Sequence, residues 1–190
     1  MALSWEVIGI IGLVTDMVKL EPYTNEWKNE FEKEKEGLST LLNDFKVDIQ
    51  HVGSTSIEGC CAKPIIDILI GIESLDFSEK LIALFLEHGY IYKFNVPGEI
   101  YFKKQCDGLT THHIHIAPIQ GQVWKNQILF RDYLRLHPEK LQEYMELKQD
   151  LAIQYPDERD RYSKEKEDFI LQILFDAENE VIRKRPKKEI

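Results

Sequence analysis

The chain has 190 residues, with 24 lysines and arginines against 33 aspartates and glutamates, and a formal net charge of -9 at pH 7. At about 100–200 residues per domain, this length corresponds to a single domain. The acidic balance excludes a protein whose main role is to coat nucleic acid, because neutralising phosphates needs a basic surface. It does not exclude a small phosphate-bearing ligand, which needs only a few local cations.

The charge is unevenly distributed along the chain. Residues 139–180 contain 13 acidic and 6 basic side chains, whereas residues 51–138 contain 9 and 8. Acidic runs on helices are usually solvated faces, so we expect a functional site to use the nearly neutral centre. The pattern predicts an N-terminal extension over 1–16, a domain over 17–180 and a basic tail over 181–190.

Three cysteines, Cys60, Cys61 and Cys106, form an odd set without a CxxC pair. Such usage favours reduced thiols in a cytoplasmic protein over a disulfide framework. No stretch approaches the roughly 20 apolar residues of a membrane helix, and no secretory signal peptide is expected. The sequence therefore predicts a cytoplasmic protein that does not engage a membrane, and it leaves the oligomeric state open.

Helical and strand-like patterns alternate in the first part of the chain, and helical patterns fill the last part. The predicted elements are a helix from Thr24 or Asn25 to Leu42, a strand over 45–52, a helix opening after Gly53, a strand over 64–72, a helix over 74–86, strands over 90–94, 99–103 and 111–118, and helices after Trp124, after Pro138 and over 162–177. Turn residues between the three later strands predict antiparallel neighbours. This order predicts an α+β domain, a mixed β-sheet with helices packed on it.

Small hydroxyl residues follow a glycine where the first predicted strand ends, in the run 51–56. Backbone N–H groups at such a turn point outward, and small side chains let a phosphate approach closely. The spacing does not match a Walker A loop. The alternative is a plain glycine turn in which Ser54 or Thr55 only caps a helix.

One carboxylate, Asp67, interrupts the most hydrophobic predicted strand. A buried carboxylate is costly unless it is paired or bound to a metal, so this position is a candidate functional residue. Lys63 precedes it by four residues and falls on the same face of the strand. A purely structural ion pair between Asp67 and a basic residue is the alternative.

Two histidines, His113 and His115, share one face of the last predicted strand and could form half of a metal site. Histidines with ordinary core or surface roles are the commoner explanation, and a zinc cage that recruits Cys60 or Cys61 is a remote alternative.

Further along the chain, Arg131 and Arg135 share a helix face and could form a fork for a polyphosphate. The alternative is that Asp132, Glu139 or a neighbouring helix simply pairs with these arginines.

Taken together, these motifs resemble the GrpB family, small bacterial proteins related to the nucleotidyltransferase fold. The resemblance covers about residues 17–178. Its motifs are Tyr23 with Trp27 and Phe31, the run 51–56, the run 62–67, the strand His113-Ile114-His115, the run 130–138, and Tyr162 with Lys164 and Phe169.

This resemblance implies a nucleotidyltransferase-like mixed sheet flanked by helices, with C-terminal helices packed on it. In the wider superfamily the Gly-Ser turn holds nucleotide phosphates, and an Asp-x-Asp pair holds two divalent metal ions. Gly53 and Ser54 match the turn and Asp67 matches the first carboxylate, but Leu69 stands at the second acidic position. His115 is expected near the place of the third metal-binding carboxylate. The implied cofactor is Mg²⁺ or Mn²⁺, or alternatively Zn²⁺.

The sequence and the resemblance predict a protein that binds a nucleotide or another phosphate-bearing small molecule and, if it is an enzyme, transfers a nucleotidyl group. The alternative is a catalytically degenerate module with a binding or folding-accessory role, as the family's fusions to dephospho-CoA kinase imply. A metal-dependent hydrolase is a third hypothesis. The candidate residues are Asp67, Lys63 and His115 for catalysis; His51, Gly53, Ser54, Thr55, Ser56, Lys63, Arg131 and Arg135 for substrate binding; and Asp67, His113 and His115 for a metal.

Overall fold

The computed structural model describes residues 11–184. The first ten residues of the predicted extension, and residues 185–190 of the predicted basic tail, lie outside the described part. Five strands form one sheet in the order β1-β2-β5-β4-β3. The strands are β1 (Asp48–Val52), β2 (Ile66–Ile72), β3 (Ile91–Val96), β4 (Glu99–Cys106) and β5 (Leu109–Pro118). The helices are α1 (Glu26–Leu41), α2 (Ser78–Glu87), α3 (Gln122–Leu136), α4 (Pro138–Gln154), α5 (Arg159–Lys164) and α6 (Glu167–Lys184).

The sheet is mixed. Strand β2 pairs antiparallel with β1 and parallel with β5, and β5, β4 and β3 form an antiparallel meander. The arrangement confirms the predicted α+β class and the predicted antiparallel neighbours. It also places the β-branched strand β2 inside the sheet, where both of its faces are covered by helices.

The two faces of the sheet carry different side chains, because successive residues of a strand point to opposite faces. The core face carries Ile66, Ile68 and Ile70, which belong to one buried cluster with Trp27 of α1 and Phe85 of α2. The opposite face, called the site face below, carries Asp67, Leu69, His113 and His115 and lies under the C-terminal helices.

Several element boundaries differ from the prediction for local reasons. The Ser74 hydroxyl accepts a hydrogen bond from the Asp76 N–H, so Ser74 closes a turn and α2 begins only at Ser78. Strand β1 begins at Asp48, although Phe45 and Val47 still pack against the core. The expected helix after Gly53 is a single 3-10 turn, Ser54–Ser56. The last helical stripe divides into α5 and α6.

Part of the predicted extension packs on the domain. Ile11 and Leu13 are buried, and Leu13 forms a β-bridge with Thr110 at the start of β5. The Gly12 N–H also donates to the Pro64 carbonyl, at 2.7 Å. The predicted domain boundaries remain a prediction. Across residues 11–184, no helix combines the length and the apolar character that a bilayer crossing requires.

Candidate functional site

The glycine of the Gly-Ser turn lies directly against the strand carboxylate. In the antiparallel pairing of β1 with β2, Val52 lies opposite Asp67. Gly53 directly follows Val52 and therefore lies at the end of β1 beside Asp67. Its backbone has φ 67° and ψ -174°, a conformation that favours glycine. A Cβ atom there would lie 2.3 Å from Asp67 Oδ2. Only glycine therefore permits this contact between the turn and the carboxylate.

Asp67 is the first of three side chains that are connected by hydrogen bonds on the site face. Its Oδ1 lies 2.8 Å from His113 Nδ1, and His113 Nε2 lies 2.9 Å from Arg159 Nη2. A guanidinium can only donate, so His113 Nε2 accepts and Nδ1–H donates to the carboxylate. The two neighbours therefore fix both the tautomer and the neutral state of His113.

Burial and local charges set the ionisation of this pair. Burial by itself would raise the pKa of Asp67, but the hydrogen bond from His113 and the electrostatic influence of the two nearby histidines and of Lys63 outweigh it and hold the pKa at about 2. Burial lowers the pKa of His113, and Arg159 adds to that effect against the opposing influence of Asp67. At neutral pH the pair thus consists of a carboxylate and a neutral imidazole.

The donor set on this face does not fit a two-metal centre. His115 Nδ1 pairs with Glu99 Oε1 at 2.5 Å, while His113 Nδ1 pairs with Asp67. Leu69, at the expected second acidic position, is buried beside Ala117 and Trp124. Within residues 11–184, no group of three or more His, Cys, Asp or Glu side chains is arranged to hold a metal ion. Metal binding by Asp67, His113 and His115 therefore stays a prediction.

A cavity of about 510 Å³ opens over Asp67, between the sheet and helices α3 to α6. Four basic side chains line it: Lys63 before β2, Lys148 of α4, Arg159 of α5, and Lys166 between α5 and α6. Among residues 11–184, no carboxylate lies within 4.0 Å of any of these four cations. We call them the four cavity cations.

Lys148 is the most deeply placed of them, with only 1% of its surface exposed. Its Nζ donates to Ser54 Oγ at 3.2 Å, to Cys60 Sγ at 3.1 Å and to the Cys61 carbonyl, and it lies 4.5 Å from the centroid of the Tyr144 ring. A buried ammonium held by neutral groups and an aromatic face keeps an unbalanced positive charge beside the Gly-Ser turn.

The next two cations both lie near the Tyr162 ring, with Lys63 Nζ at 5.4 Å and Lys166 Nζ at 4.2 Å from its centroid. Burial, together with the neighbouring cations, lowers the pKa of Lys63 to about 8 and that of Lys166 to about 7. Burial is the main cause of both pKa shifts, and repulsion from the neighbouring cations adds to it.

The structure divides the predicted site residues between two cavities. The first cavity brings together Gly53, Ser54, Thr55, Lys63, Asp67, His113 and His115. The remaining predicted residues, His51, Ser56, Arg131 and Arg135, line a second cavity on the other side of the 3-10 turn. Arg131 is held there by Asp132, Gln50 and the His51 carbonyl.

Sequence reasoning did not find three of the four cavity cations. Lys148, Arg159 and Lys166 come from the strongly acidic segment 139–180, whose composition predicts solvated helix faces. One available signal was the helical spacing between Tyr162 and Lys166, which places a cation over an aromatic ring.

The fold is distantly similar to that of a poly(U) polymerase. A mutant of the Cid1 poly(U) polymerase bound to MgATP superposes with a TM-score of 0.50 at 13% identity, covering 78% of this chain and 46% of that one. The MgGTP-bound form of the same polymerase matches equally, at 14% identity. At this identity the likeness concerns the fold alone, a nucleotidyltransferase-like α+β fold.

The chain belongs to the GrpB family, because the GrpB protein family model matches residues 17–175. The glutamate-rich protein GrpB of Alkalihalophilus pseudofirmus is 41% identical over 171 residues, covering 87% of this chain and 98% of that protein. The UPF0157 protein YqkA of Bacillus subtilis is 36% identical over 155 residues, which are 80% of this chain and 45% of the relative. A crystal structure of the conserved protein GrpB from Enterococcus faecalis superposes with a TM-score of 0.78 at 32% identity, covering 86% and 99% of the two chains.

Proposed function

We propose that the first cavity binds a nucleotide or another phosphate-bearing small molecule, and that its four cations contact the phosphates without a bridging metal ion. The observation that carries this proposal is the convergence of those cations, none of which has a carboxylate partner within 4.0 Å in the described residues. Lys148 is buried and the other three cations are half-buried, while Asp67 and Glu167 supply the negative charges of the lining. Two positive charges are left over, which a multiply charged anion would balance.

The remaining lining supports a ligand with an organic part. Asn126, Gln127 and Phe130 of α3 face the cavity together with Ile170 and Leu174 of α6. Amide groups can accept and donate hydrogen bonds, and apolar side chains can cover a ring. The volume of about 510 Å³ lies within the usual range for small-molecule sites.

Nucleotidyl transfer is the further step that the fold suggests. In that reaction the carboxylates of the site hold the metal ions, and this chain supplies Asp67 alone at the matching strand positions. What its own residues can do is bind and orient: Ser54 and Lys148 at the turn, Lys63 at the phosphates, and neutral His113 beside an ionised Asp67. We therefore place phosphate binding first and propose the degenerate, binding-module role ahead of catalysis, because Leu69 is buried where a second ligand would stand.

A thermal-shift screen tests the binding proposal. The four ribonucleoside triphosphates and inorganic tripolyphosphate would each be added in EDTA and, separately, with Mg²⁺ or Mn²⁺. A ligand at one hundred times its Kd should stabilise the protein by about 2.7 kcal/mol, and it should do so in EDTA. No shift with any of the five anions under any condition would contradict the proposal.

Substitution of Asp67 separates metal-free binding from metal-bridged binding. Asp67→Asn keeps an oxygen that can accept from His113 but removes a negative charge from a cationic cavity. We expect tripolyphosphate affinity in EDTA to rise about three- to tenfold, as the removal of one nearby charge allows. The matched control, Asp150→Asn, removes an exposed carboxylate of α4 and should leave affinity unchanged. Binding that needs Mg²⁺ and disappears in Asp67→Asn would instead indicate a metal bridge.

Affinity should also fall as pH rises. With pKa values of about 7 for Lys166 and about 8 for Lys63, the free cavity loses protons between pH 6.5 and 8.5. A bound anion favours the charged amines and raises both pKa values, so binding takes up protons. Calorimetry of tripolyphosphate in buffers of different ionisation enthalpy would measure that uptake. The variant Lys166→Met should take up fewer protons than the wild type near pH 7. Protons bound by tripolyphosphate itself cancel, because both proteins are compared with the same ligand. Equal uptake by both proteins would contradict the assignment.

A further inference from the structure

The second cavity, of about 820 Å³, lies between α1, β1, the 3-10 turn and the end of α3. The turn Ser54–Ser56 separates it from the first cavity, and Thr55 lines both. We propose that this second cavity is an independent binding site for a phosphate group, with Arg135 as its main contact.

The charges around Arg135 favour a bound anion. Arg131 and Arg135 share one carboxylate, Asp132, whose Oδ1 lies 2.7 Å from Arg131 Nε and 3.7 Å from Arg135 Nη1. Of the other charged residues of the lining, Lys35 pairs with Glu32 at 4.0 Å, and Lys28 and Glu58 carry opposite charges. The lining together with Asp132 therefore keeps one net positive charge. Lys28, which also lines the cavity, forms no ion pair within 4.0 Å in the part of the chain that the structure describes.

The donors of this site are held in place. Arg135 Nη2 donates to the Ser56 carbonyl at 2.6 Å, which anchors the guanidinium at the turn while its side chain remains 43% exposed. Arginine presents five N–H donors in a fork that suits phosphate oxygens, and only part of that fork is used here.

The wall behind these donors is aromatic. The ring of His51 stacks on Phe31 with 4.7 Å between centroids, and its Nε2 lies 3.0 Å from Thr55 Oγ1. Tyr23 completes the lining at the N-terminal side of α1. A flat aromatic wall beside a guanidinium suits either free phosphate or a phosphate ester that carries a small ring.

Site-resolved NMR titration tests the proposal, because it detects weak binding and reports each cavity separately. Inorganic phosphate and phenyl phosphate would be titrated while the amides of Gly53 and Ser54 report the first cavity, and those of Ser56 and Ile57, with Arg135 Nε–H, report the second. We expect two saturation curves with different midpoints. A tighter midpoint for phenyl phosphate in the second set identifies an ester as the occupant, whereas equal midpoints identify free phosphate.

Variants assign each curve to its cavity. Arg135→Gln should weaken the affinity of the second curve at least tenfold and leave the first curve unchanged. Lys148→Met should weaken the first curve at least tenfold and leave the second unchanged. Arg135→Lys should retain the second curve with lower affinity. Lys125→Gln removes an exposed charge from the same helix as Arg135 and should leave both curves unchanged. If Arg135→Gln does not fold, Lys28→Gln should still weaken the second curve. The proposal would be overturned if the second set of N–H signals did not shift. It would also be overturned if both sets gave the same midpoint and both lost their shifts in Lys148→Met.

Discussion

Replacement of Lys148 by methionine is expected to weaken tripolyphosphate binding to the first cavity about 10- to 100-fold. The ammonium is buried, lies beside the Gly-Ser turn and has no carboxylate partner within 4.0 Å in the described residues. A charge-assisted hydrogen bond contributes about 1.5–3 kcal/mol, and each 1.4 kcal/mol is tenfold in Kd. Calorimetric titration of the variant against the wild type would measure the change.

The fold itself should tolerate this substitution. Methionine fills a similar volume and removes the desolvation cost of a buried charge, while Ser54 and the Cys61 carbonyl lose a donor. These effects oppose each other, so we expect stability to change by less than about 2 kcal/mol. The control Lys140→Met removes a half-buried lysine of the same helix that lies outside the first cavity and pairs with Glu143, and this variant should bind normally. Unchanged affinity in Lys148→Met would refute its role.

The largest effect on stability is expected for Gly53→Ala, which we place at about 3–5 kcal/mol. A side chain at a left-handed φ costs about 1–3 kcal/mol, and the new Cβ would meet the carboxylate of Asp67 at 2.3 Å. Overpacking of this kind adds about 1–3 kcal/mol. Denaturant unfolding of the variant would measure the loss, and phosphate binding should weaken as the turn shifts away from Asp67.

Gly59→Ala provides the matched control for this substitution. Gly59 also has a positive φ, 78°, but a Cβ there would meet no atom within 4 Å. We expect a loss of about 1–2 kcal/mol from backbone strain alone. The difference between the two variants therefore measures the contact between the turn and the carboxylate. Equal losses would mean that this contact contributes nothing.

Much of the fold followed from periodicity and turn chemistry. The β-branched run 64–72 could only be a strand buried on both faces, and the turn residues between the last three strands specified an antiparallel meander. Element starts were less predictable, because local hydrogen bonds decide them. Ser74, for example, closes a turn instead of capping α2.

The site was only half predictable, since sequence distance hides spatial convergence. Gly53 and Asp67 can be found from the sequence because each departs from a local pattern. A glycine followed by small hydroxyl residues ends a strand, and a carboxylate interrupts an apolar strand. Lys148 also departs from a local pattern, because its helical spacing places it on the apolar stripe of α4 with Tyr144 and Leu151, but that stripe by itself indicates no site. Arg159 and Lys166 do not, because a lysine or arginine in an acidic helical segment looks like solvated surface. The role of all three cations depends on how α4, α5 and α6 pack over the sheet, which no local pattern specifies.

The same packing changes what the overall acidity means. The net charge of -9 describes the outer helix surfaces, yet the acidic segment 139–180 supplies three of the four cations around the first cavity. Conversely, Arg131 and Arg135, which the sequence placed with Asp67, face the second cavity. The distribution of charge between the inside and outside of the helices, and not its sum, sets what the protein can bind.

Calorimetric titration of the wild-type protein with inorganic tripolyphosphate in EDTA tests the central claim most directly, because this probe has no base and the buffer holds no free divalent metal. We predict saturable binding that is accompanied by proton uptake near neutral pH and is reduced at least tenfold in Lys148→Met. Absence of binding in EDTA, or equal binding by the wild type and Lys148→Met, would contradict the claim that the four cavity cations form a metal-independent phosphate site.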